Sequence, residues 1–212
     1  MKWVEVNVNK GYFISIEGPD GAGKSTQLKN IIKYFKEKDI DIIFTREPGG
    51  TEIGEKIRKI ILDKENEKMC DMAEALLYAA SRAQHVNEKI KPKLDEGRVV
   101  LCDRYVDSSI AYQGYGRELG ELVTVINDYA IAGVKPDITI LLLINPVEGR
   151  GRINNNEKDR LEIQKDDFHQ RVYEGYRKLC EKEPSRFHVI DASKNIEAVK
   201  ADIYSILDKI EL

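Results

Sequence analysis

The residues with the clearest chemical potential lie in the stretch IEGPDGAGKST, residues 16–26. Residues 18–25 match the pattern G-x-x-x-x-G-K-[ST], between an apolar run and a helical pattern. Glycines let the backbone N–H groups turn toward phosphate oxygens, and the helix N-terminus adds its positive dipole end. Lys24 can reach the β- and γ-phosphates, and the Ser25 hydroxyl can ligate Mg²⁺. The sequence therefore predicts a nucleoside triphosphate site formed by Gly18, Pro19, Asp20, Gly21, Ala22, Gly23, Lys24, Ser25 and Thr26.

A second set of charged residues follows two predicted strands. Arg46 ends one strand in TREPGGT, Arg104 ends the next in CDRY, and Arg82 lies on a long predicted helix. Ligands of open α/β sheets bind at the carboxyl ends of the strands, so Arg46 and Arg104 should share an edge with the phosphate loop. A guanidinium group can pair with two phosphate oxygens at once. Asp103 is expected either to hold Mg²⁺ through water or to pair with a neighbouring arginine.

Three classes of nucleotide-binding protein are compatible with a phosphate loop: a small-molecule kinase, a GTPase switch, and an ATPase coupled to assembly or DNA. A GTPase needs an N-K-x-D segment after a strand, whereas Asn9 and Lys10 precede the first predicted strand. The net charge of −3 shows no basic excess for nucleic acid. A kinase needs arginines for a phosphorylated acceptor and a lid against water. The arginines above and a Gly- and Asn-rich lid at 149–160 favour the kinase.

Composition limits the architecture and the compartment. The 212 residues suit one domain spanning 1–212, and 42% hydrophobic with 33% charged residues indicate a soluble globular protein. Three cysteines without paired spacing argue against disulfides and zinc. The N-terminus lacks the apolar core of a signal peptide, and the longest apolar run, 138–144, is too short to span a bilayer. We expect a cytoplasmic protein without a membrane partner.

The elements that must position these residues are short apolar strands alternating with helices. Strands are predicted at 12–18, 40–47, 97–105, 135–146 and 187–192. Helical spacing follows the phosphate loop, begins again near Thr51, runs from 69 to 96 with a kink or restart at Pro92, and returns at 119–132, 168–179 and 196–210. Strands that are apolar without alternation are buried on both faces. The prediction is a three-layer α/β fold of the P-loop NTPase kind, with a five-stranded parallel sheet flanked by helices and a short lid.

Six segments together resemble thymidylate kinase, in order and spacing, from about residue 12 to 176: IEGPDGAGKST, TREPGGT, YAASRAQHV, DRYVDSSIAYQG, KPDITILLL and DRLE. The resemblance implies transfer of the γ-phosphoryl group of ATP to dTMP, giving dTDP, with Mg²⁺ as cofactor. It also implies a homodimer formed through long helices. Another nucleoside monophosphate kinase, for dUMP or a broader set of pyrimidines, is the main alternative, and a P-loop ATPase that is not a kinase is less favoured.

The resemblance also assigns roles in the acceptor site. Asp20 would contact the sugar 3′-hydroxyl, Arg46 and Arg104 would hold the 5′-phosphate, and Arg104 would also act in the transfer. For the base, it implies stacking on Tyr78, reading of the edge by Arg82, and Ser109 and Gln113 as pocket neighbours. Tyr112 would crowd the sugar 2′ position and disfavour ribose. From the residues alone, core packing is the more frequent role of tyrosines such as Tyr78 and Tyr112.

The lid departs from one pattern within the family. Some members carry a catalytic arginine just after the loop aspartate, where this chain has Gly21. Members without it usually carry lid arginines, so we expect catalytic roles among Arg150, Arg152 and Arg160. Asn145 stands where the family commonly has an aspartate, which leaves the role of that position open.

Overall fold

The computed structural model describes residues 11–152 and 159–210. Five strands form one parallel sheet, as the sequence predicts, and their order is β2-β3-β1-β4-β5. The strands are β1 (Tyr12–Glu17), β2 (Ile42–Arg46), β3 (Val99–Asp103), β4 (Ile138–Leu143) and β5 (Phe187–Asp191). Each is shorter than the strand predicted from the sequence by one or more residues at its ends.

Helices cover both faces of the sheet. They are α1 (Lys24–Glu37), α2 (Glu52–Leu62), α3 (Asp71–His85), α4 (Lys91–Asp95), α5 (Val106–Ser109), α6 (Glu121–Ile131), α7 (Pro146–Gly151), α8 (Asp166–Lys182) and α9 (Ile196–Leu207). Ile14 and Ile16 of β1 pack in one core with α1 and α9, whereas Phe13 packs in the core on the opposite face. This alternation of side chains between two covered faces confirms the three-layer arrangement.

The register of the sheet brings the predicted charged residues to one level. Asp103 at the end of β3 lies opposite Arg46 of β2 and opposite Ile16 of β1. The chain continues from β1 into the phosphate loop and from β3 into Arg104. The phosphate loop and both strand-end arginines therefore occupy the same edge.

The predicted long helix at 69–96 contains a change of helical type. A π-helical stretch, Val86–Ile90, separates α3 from α4, and the N–H of Lys91 donates to the carbonyl of Val86 five residues earlier. Pro92 follows at once and has no N–H to donate. The π-helical turn therefore lies directly before a residue that cannot donate the next helical hydrogen bond. This accounts for the kink or restart predicted at Pro92.

Two helical segments were not predicted. One is α5 with the π-helical stretch Ile110–Gly116, which is mostly buried and has no polar face to reveal its period. The other is α7, where the prediction placed a loop from residue 149 because of its glycines. Asn145 starts α7 by accepting the N–H of Val147 at 3.0 Å, and asparagine caps helices as well as aspartate does. No helix within residues 11–152 and 159–210 has the length and hydropathy needed to cross a membrane.

Candidate active site

The phosphate loop connects β1 to the N-terminus of α1. The Lys24 ammonium group donates to the carbonyl oxygens of Gly18 and Pro19, at 2.9 and 3.0 Å. Burial and the charge of Arg104 lower its pKa to about 8, against the opposing effect of Asp20. Lys24 therefore lies inside the loop next to a second cation, a position suited to anionic oxygens.

Gly21 of this loop touches the backbone of α7. Its φ is +78°, and a Cβ placed there would lie 1.9 Å from the carbonyl oxygen of Gly149. In the reverse direction, a Cβ on Gly149 would lie 2.7 Å from the carbonyl oxygen of Asp20. The two glycines allow this close approach, so the first predicted lid residue rests on the phosphate loop. A side chain at the position of Gly21 would collide with the backbone of α7.

Asp20 faces the acceptor side of the loop. Its carboxylate accepts from Nη2 of Arg104 at 2.6 Å and from the Tyr112 hydroxyl at 2.8 Å. Burial acts to raise its pKa, but the charges of Arg104 and Lys24 and the Tyr112 hydroxyl outweigh burial, and the pKa is lowered. Asp20 is thus an ionised group that holds Arg104 beside the phosphate loop.

Arg104 has a backbone φ of +64°, which is costly for a residue with a side chain. Its N–H donates to the carbonyl oxygen of Ile16 at 3.0 Å, and its Nη1 donates to that of Gly18 at 3.0 Å. Strained backbone of this kind is common at functional sites, where the surrounding structure enforces it. The guanidinium is placed where the phosphate loop meets the neighbouring pocket.

That pocket is concave and lined by several polar and charged side chains, as is common in small-molecule sites. All eight predicted acceptor residues line it, together with Asp103: Asp20, Arg46, Tyr78, Arg82, Arg104, Ser109, Tyr112 and Gln113. Other lining residues were not singled out from the sequence and include Glu47, Arg58, Leu62, Asp159 and Leu161.

Arg82 is buried, and each of its guanidinium nitrogens donates to a protein acceptor. Nε bonds Glu47 at 2.7 Å, Nη2 bonds the Tyr105 carbonyl at 3.0 Å, and Nη1 bonds Ser109 at 2.9 Å as well as Asn127. The Glu47 carboxylate is the buried partner of this charge. Arg82 is therefore fixed in one orientation in the pocket wall.

The remaining predicted base-site residues are packed into the same wall. Tyr78 lies one turn before Arg82 on α3 and is 9% exposed, which suits a stacking surface. Gln113 donates to Glu74 at 2.9 Å, and the Tyr112 ring packs edge-on against Phe168 with centroids 6.1 Å apart. Tyr78 and Tyr112 therefore both pack in the hydrophobic core and line the pocket.

Arg58 is a cation of this pocket that the sequence analysis missed. It lies on α2 and donates to the carbonyl oxygen of Pro48 at 2.9 Å. Arg46 pairs with Glu55 at 3.0 Å and remains partly exposed. Burial and the charge of Arg46 lower the pKa of Arg58. Its position in the sequence could have indicated this role, since α2 begins after the short loop that follows Arg46 at the end of β2.

The predicted lid at 149–160 is described only at its two ends, and residues 153–158 lie outside the described structure. Arg150 pairs with Asp166 of α8, and Arg152 donates to the Ala192 carbonyl oxygen at 2.9 Å. None of the hydrogen bonds or ion pairs described for Arg150 and Arg152 has its partner in the phosphate loop.

Arg160 lies at the distal end of the predicted lid and is buried. Its side chain is 5% exposed, pairs with Glu74 of α3 and donates from Nε to the Ile61 carbonyl oxygen at 2.9 Å. Glu74 is fully buried and also accepts from Arg117 at 3.0 Å. These contacts tie the distal end of the predicted lid to α2 and α3.

The predicted Mg²⁺ ligands can be tested against the chemistry of their surroundings. Oδ1 of Asp103 is buried and has no hydrogen-bond partner among the described residues, which is unusual for a carboxylate oxygen. Ser25 is exposed in the first turn of α1. Hydroxyl and carboxylate oxygens suit Mg²⁺, which usually keeps waters and substrate phosphates as further ligands. These residues fit such an ion.

Thymidylate kinases resemble this chain over most of its length. The family model described as thymidylate kinase matches residues 16–203. The thymidylate kinase of Bacillus velezensis is 49% identical over 203 residues, covering 94% of this chain and 96% of the relative. That of Clostridium novyi is 49% identical over 204 residues, covering 94% and 100%. A crystal structure of thymidylate kinase from Ehrlichia chaffeensis superposes with a TM-score of 0.76 at 33% identity, covering 93% of this chain and 98% of that one. The chain belongs to the thymidylate kinase family.

Proposed function

We propose an assignment of residues to the family's reaction, in which the γ-phosphoryl group of ATP passes to dTMP and gives dTDP and ADP. The observation that carries it is the contact between the two halves of the site. Arg104 binds both the phosphate-loop carbonyl of Gly18 and the loop carboxylate of Asp20 while lining the arginine-rich pocket. A phosphate in the pocket would therefore meet a phosphate in the loop at Arg104.

The donor side consists of residues 18–26, with Lys24 on the β- and γ-phosphate oxygens. Mg²⁺, held through Ser25 and Asp103, supplies charge neutralisation at those oxygens when bound. The acceptor phosphate is already anionic, so no general base is required, and the chain's residues act by positioning and electrostatics.

On the acceptor side, Arg46, Arg58 and Arg104 bind the 5′-phosphate of dTMP. Thymine stacks on Tyr78, and Arg82 with Ser109 and Gln113 forms the polar wall at its edge. Asp20 meets the sugar 3′-hydroxyl and Tyr112 fills the space beside the 2′ position. The hydrogen bond that Arg82 donates to the Ser109 hydroxyl, at 2.9 Å, supports a rigid wall that selects by shape.

The lid contributes Arg150 and Arg152 to the transferring group. Arg150 lies in α7 and Arg152 caps the C-terminus of this helix, and Gly149 of the same helix rests on the phosphate loop. Arg150 would exchange its carboxylate partner, Asp166, for phosphate oxygens. Arg160 is left out of the catalytic set because of its buried pairing with Glu74.

We also propose a homodimer. The neighbouring helices α2, α3 and α6 leave large apolar side chains about half exposed or more: Ile53, Ile60, Leu76, Leu122, Val125 and Tyr129. Exposed apolar surface on adjacent helices is typical of an interface between subunits. A cytoplasmic location is part of the proposal, supported by the free thiols of Cys70, Cys102 and Cys180.

The test is ADP formation from ATP and Mg²⁺ with dTMP, dUMP, UMP, dCMP, dGMP, AMP or no acceptor. We expect strong turnover with dTMP, weak turnover with dUMP, and almost none otherwise or when EDTA replaces Mg²⁺. Lys24→Ala should lower kcat by orders of magnitude and serves as the control for a contaminating kinase. Equal turnover with dUMP would favour the broader pyrimidine kinase, and equal ADP release without acceptor would contradict a kinase altogether.

A further inference from the structure

We propose that Glu17, the last residue of β1, is a positioning residue that fixes both the backbone and the guanidinium of Arg104 for the acceptor phosphate. The inference rests on the phosphate-binding role proposed above for Arg104. Glu17 itself is fully buried and would contact neither nucleotide.

The first step concerns the backbone. Oε1 of Glu17 accepts the N–H of Tyr105 at 2.7 Å. The preceding residue, Arg104, has the strained φ of +64° and donates its own N–H to Ile16 at 3.0 Å. The strained residue is therefore held by a hydrogen bond from its own N–H and by one from the N–H of the next residue, both to the end of β1. Such strain persists only where the surroundings over-determine the conformation.

The second step concerns the side chain. Oε2 of Glu17 accepts from the Ser108 hydroxyl at 2.6 Å and from the Tyr176 hydroxyl at 2.9 Å. Nη1 of Arg104 donates to the same two hydroxyl oxygens, at 3.0 and 3.3 Å. Each hydroxyl has a single proton and donates it to Glu17, so its lone pairs are left for Arg104. Glu17 thereby sets the direction of both hydroxyl groups.

An amide at this position would reverse that direction. In Glu17→Gln the amide oxygen can still accept from Tyr105, but the amide NH₂ group then faces the two hydroxyls. These must accept from it, and their protons would turn toward the N–H groups of Arg104. The side-chain volume is nearly unchanged, so the variant tests hydrogen-bond direction and charge rather than packing.

The experiment measures the dissociation constants of dTMP and thymidine by calorimetry at pH 8. Burial and the charge of Asp107 raise the pKa of Glu17 to about 7, so the carboxylate is ionised at that pH. Glu17→Gln should weaken dTMP binding about tenfold or more, as expected for a disturbed charged hydrogen bond, and thymidine binding less than about twofold. Thymidine lacks the phosphate that Arg104 would bind, so a general loss of structure would weaken both ligands together.

Asp107→Asn is the matched control. Asp107 is another buried carboxylate next to Ser108 in sequence, but it pairs with Arg186 at 2.6 and 2.8 Å. Loss of its charge should leave the ratio of the two dissociation constants unchanged. Tyr176→Phe removes one of the bridging hydroxyls, and it should weaken dTMP selectively even if Glu17→Gln fails to fold.

The double variant Glu17→Gln/Arg104→Ala distinguishes the inference from the function on which it rests. If Glu17 acts through Arg104, the double variant should bind dTMP no more weakly than Arg104→Ala alone. If the losses of dTMP affinity in the two single variants add up in the double variant, the role of Glu17 is overturned. The same holds if Glu17→Gln weakens the binding of dTMP and of thymidine equally. If Arg104→Ala leaves the preference for dTMP over thymidine intact, the assignment of Arg104 itself is wrong, and the inference falls with it.

Discussion

Asp20 illustrates how a carboxylate can belong to an anion-binding loop. Its oxygens are already paired with Arg104 and Tyr112, so it presents little free negative charge to an incoming phosphate. The same pairing pulls the guanidinium toward the boundary between the donor and acceptor sites. Asp20 therefore fixes the guanidinium of Arg104, and in the proposed assignment the 3′-hydroxyl of the acceptor sugar would donate to the same carboxylate.

Substitution of Gly21 by alanine should destabilise the protein more than the same substitution at Gly23. Both glycines have positive φ, +78° and +85°, so both variants carry a backbone cost of about 1–2 kcal/mol. Only at Gly21 does the added Cβ meet the carbonyl of Gly149, at 1.9 Å, whereas nothing lies within 4 Å at Gly23. Urea unfolding without nucleotide measures the difference, and equal free energies of unfolding would contradict the contact between α7 and the loop.

The raised pKa of Glu17 predicts a pH dependence of stability. The folded protein holds this proton up to about pH 7, whereas the unfolded chain releases it near the ordinary 4.5. Between these values the folded state binds more protons, so the free energy of unfolding falls as the pH rises. The contribution is fully present below about pH 4.5 and is lost by about pH 7.

Glu17→Gln serves as the reference for this prediction, because glutamine does not titrate. The contributions of the other titratable groups to stability then cancel in the difference between the two proteins. The stability of the wild type relative to Glu17→Gln should decrease from pH 5 to pH 7 and level off above it. Urea unfolding at several pH values gives this difference, and parallel curves for the two proteins would show that Glu17 does not titrate in that range.

At the scale of elements, the strands and the phosphate loop could be predicted because apolar runs and glycine spacing are local signals. The helical region around Tyr112 could not, since its residues are buried on all sides and show no amphipathic period. Arg160 was assigned to the lid by composition, but its partner, Glu74, lies 86 residues away. Pairings across such distances are set by tertiary packing and leave no trace in local sequence.

The two ends of the lid should therefore respond differently to loss of their arginines. Arg150→Ala with Arg152→Ala should lower kcat by about 10³-fold, as loss of a cis arginine does in phosphoryl transfer, with little change in stability. Arg160→Ala leaves the buried Glu74 without one of its cations and should cost about 3–5 kcal/mol of unfolding free energy. Steady-state kinetics and urea unfolding on the same preparations make the comparison. The opposite pattern, a stable Arg160→Ala with reduced kcat, would return Arg160 to the catalytic lid.

At the scale of the whole molecule, the predicted site residues of three strands lie at one edge of the sheet. β1, β2 and β3 end at the same level, so the phosphate loop, Arg46 and Arg104 converge although they are far apart in sequence. The helices α2 and α3 complete the pocket with Arg58, Tyr78 and Arg82 on their inner sides. Their outer sides carry the exposed apolar residues, so any second subunit there would also support the pocket wall.

A substitution on this outer surface should separate the proposed dimer. Val125 and Tyr129 are one turn apart on α6, at 50% and 84% exposed, and Leu76 lies on the neighbouring α3. Val125→Glu with Leu76→Glu would place charges in an apolar interface and should give monomers, because desolvating unpaired charges is costly. Ile196→Glu is the control, since Ile196 is 57% exposed but lies at the start of α9. Sedimentation velocity should show twice the chain mass for the wild type and the control, and the chain mass for the double variant. A monomeric wild type would contradict the dimer, and a dimeric double variant would place its interface elsewhere.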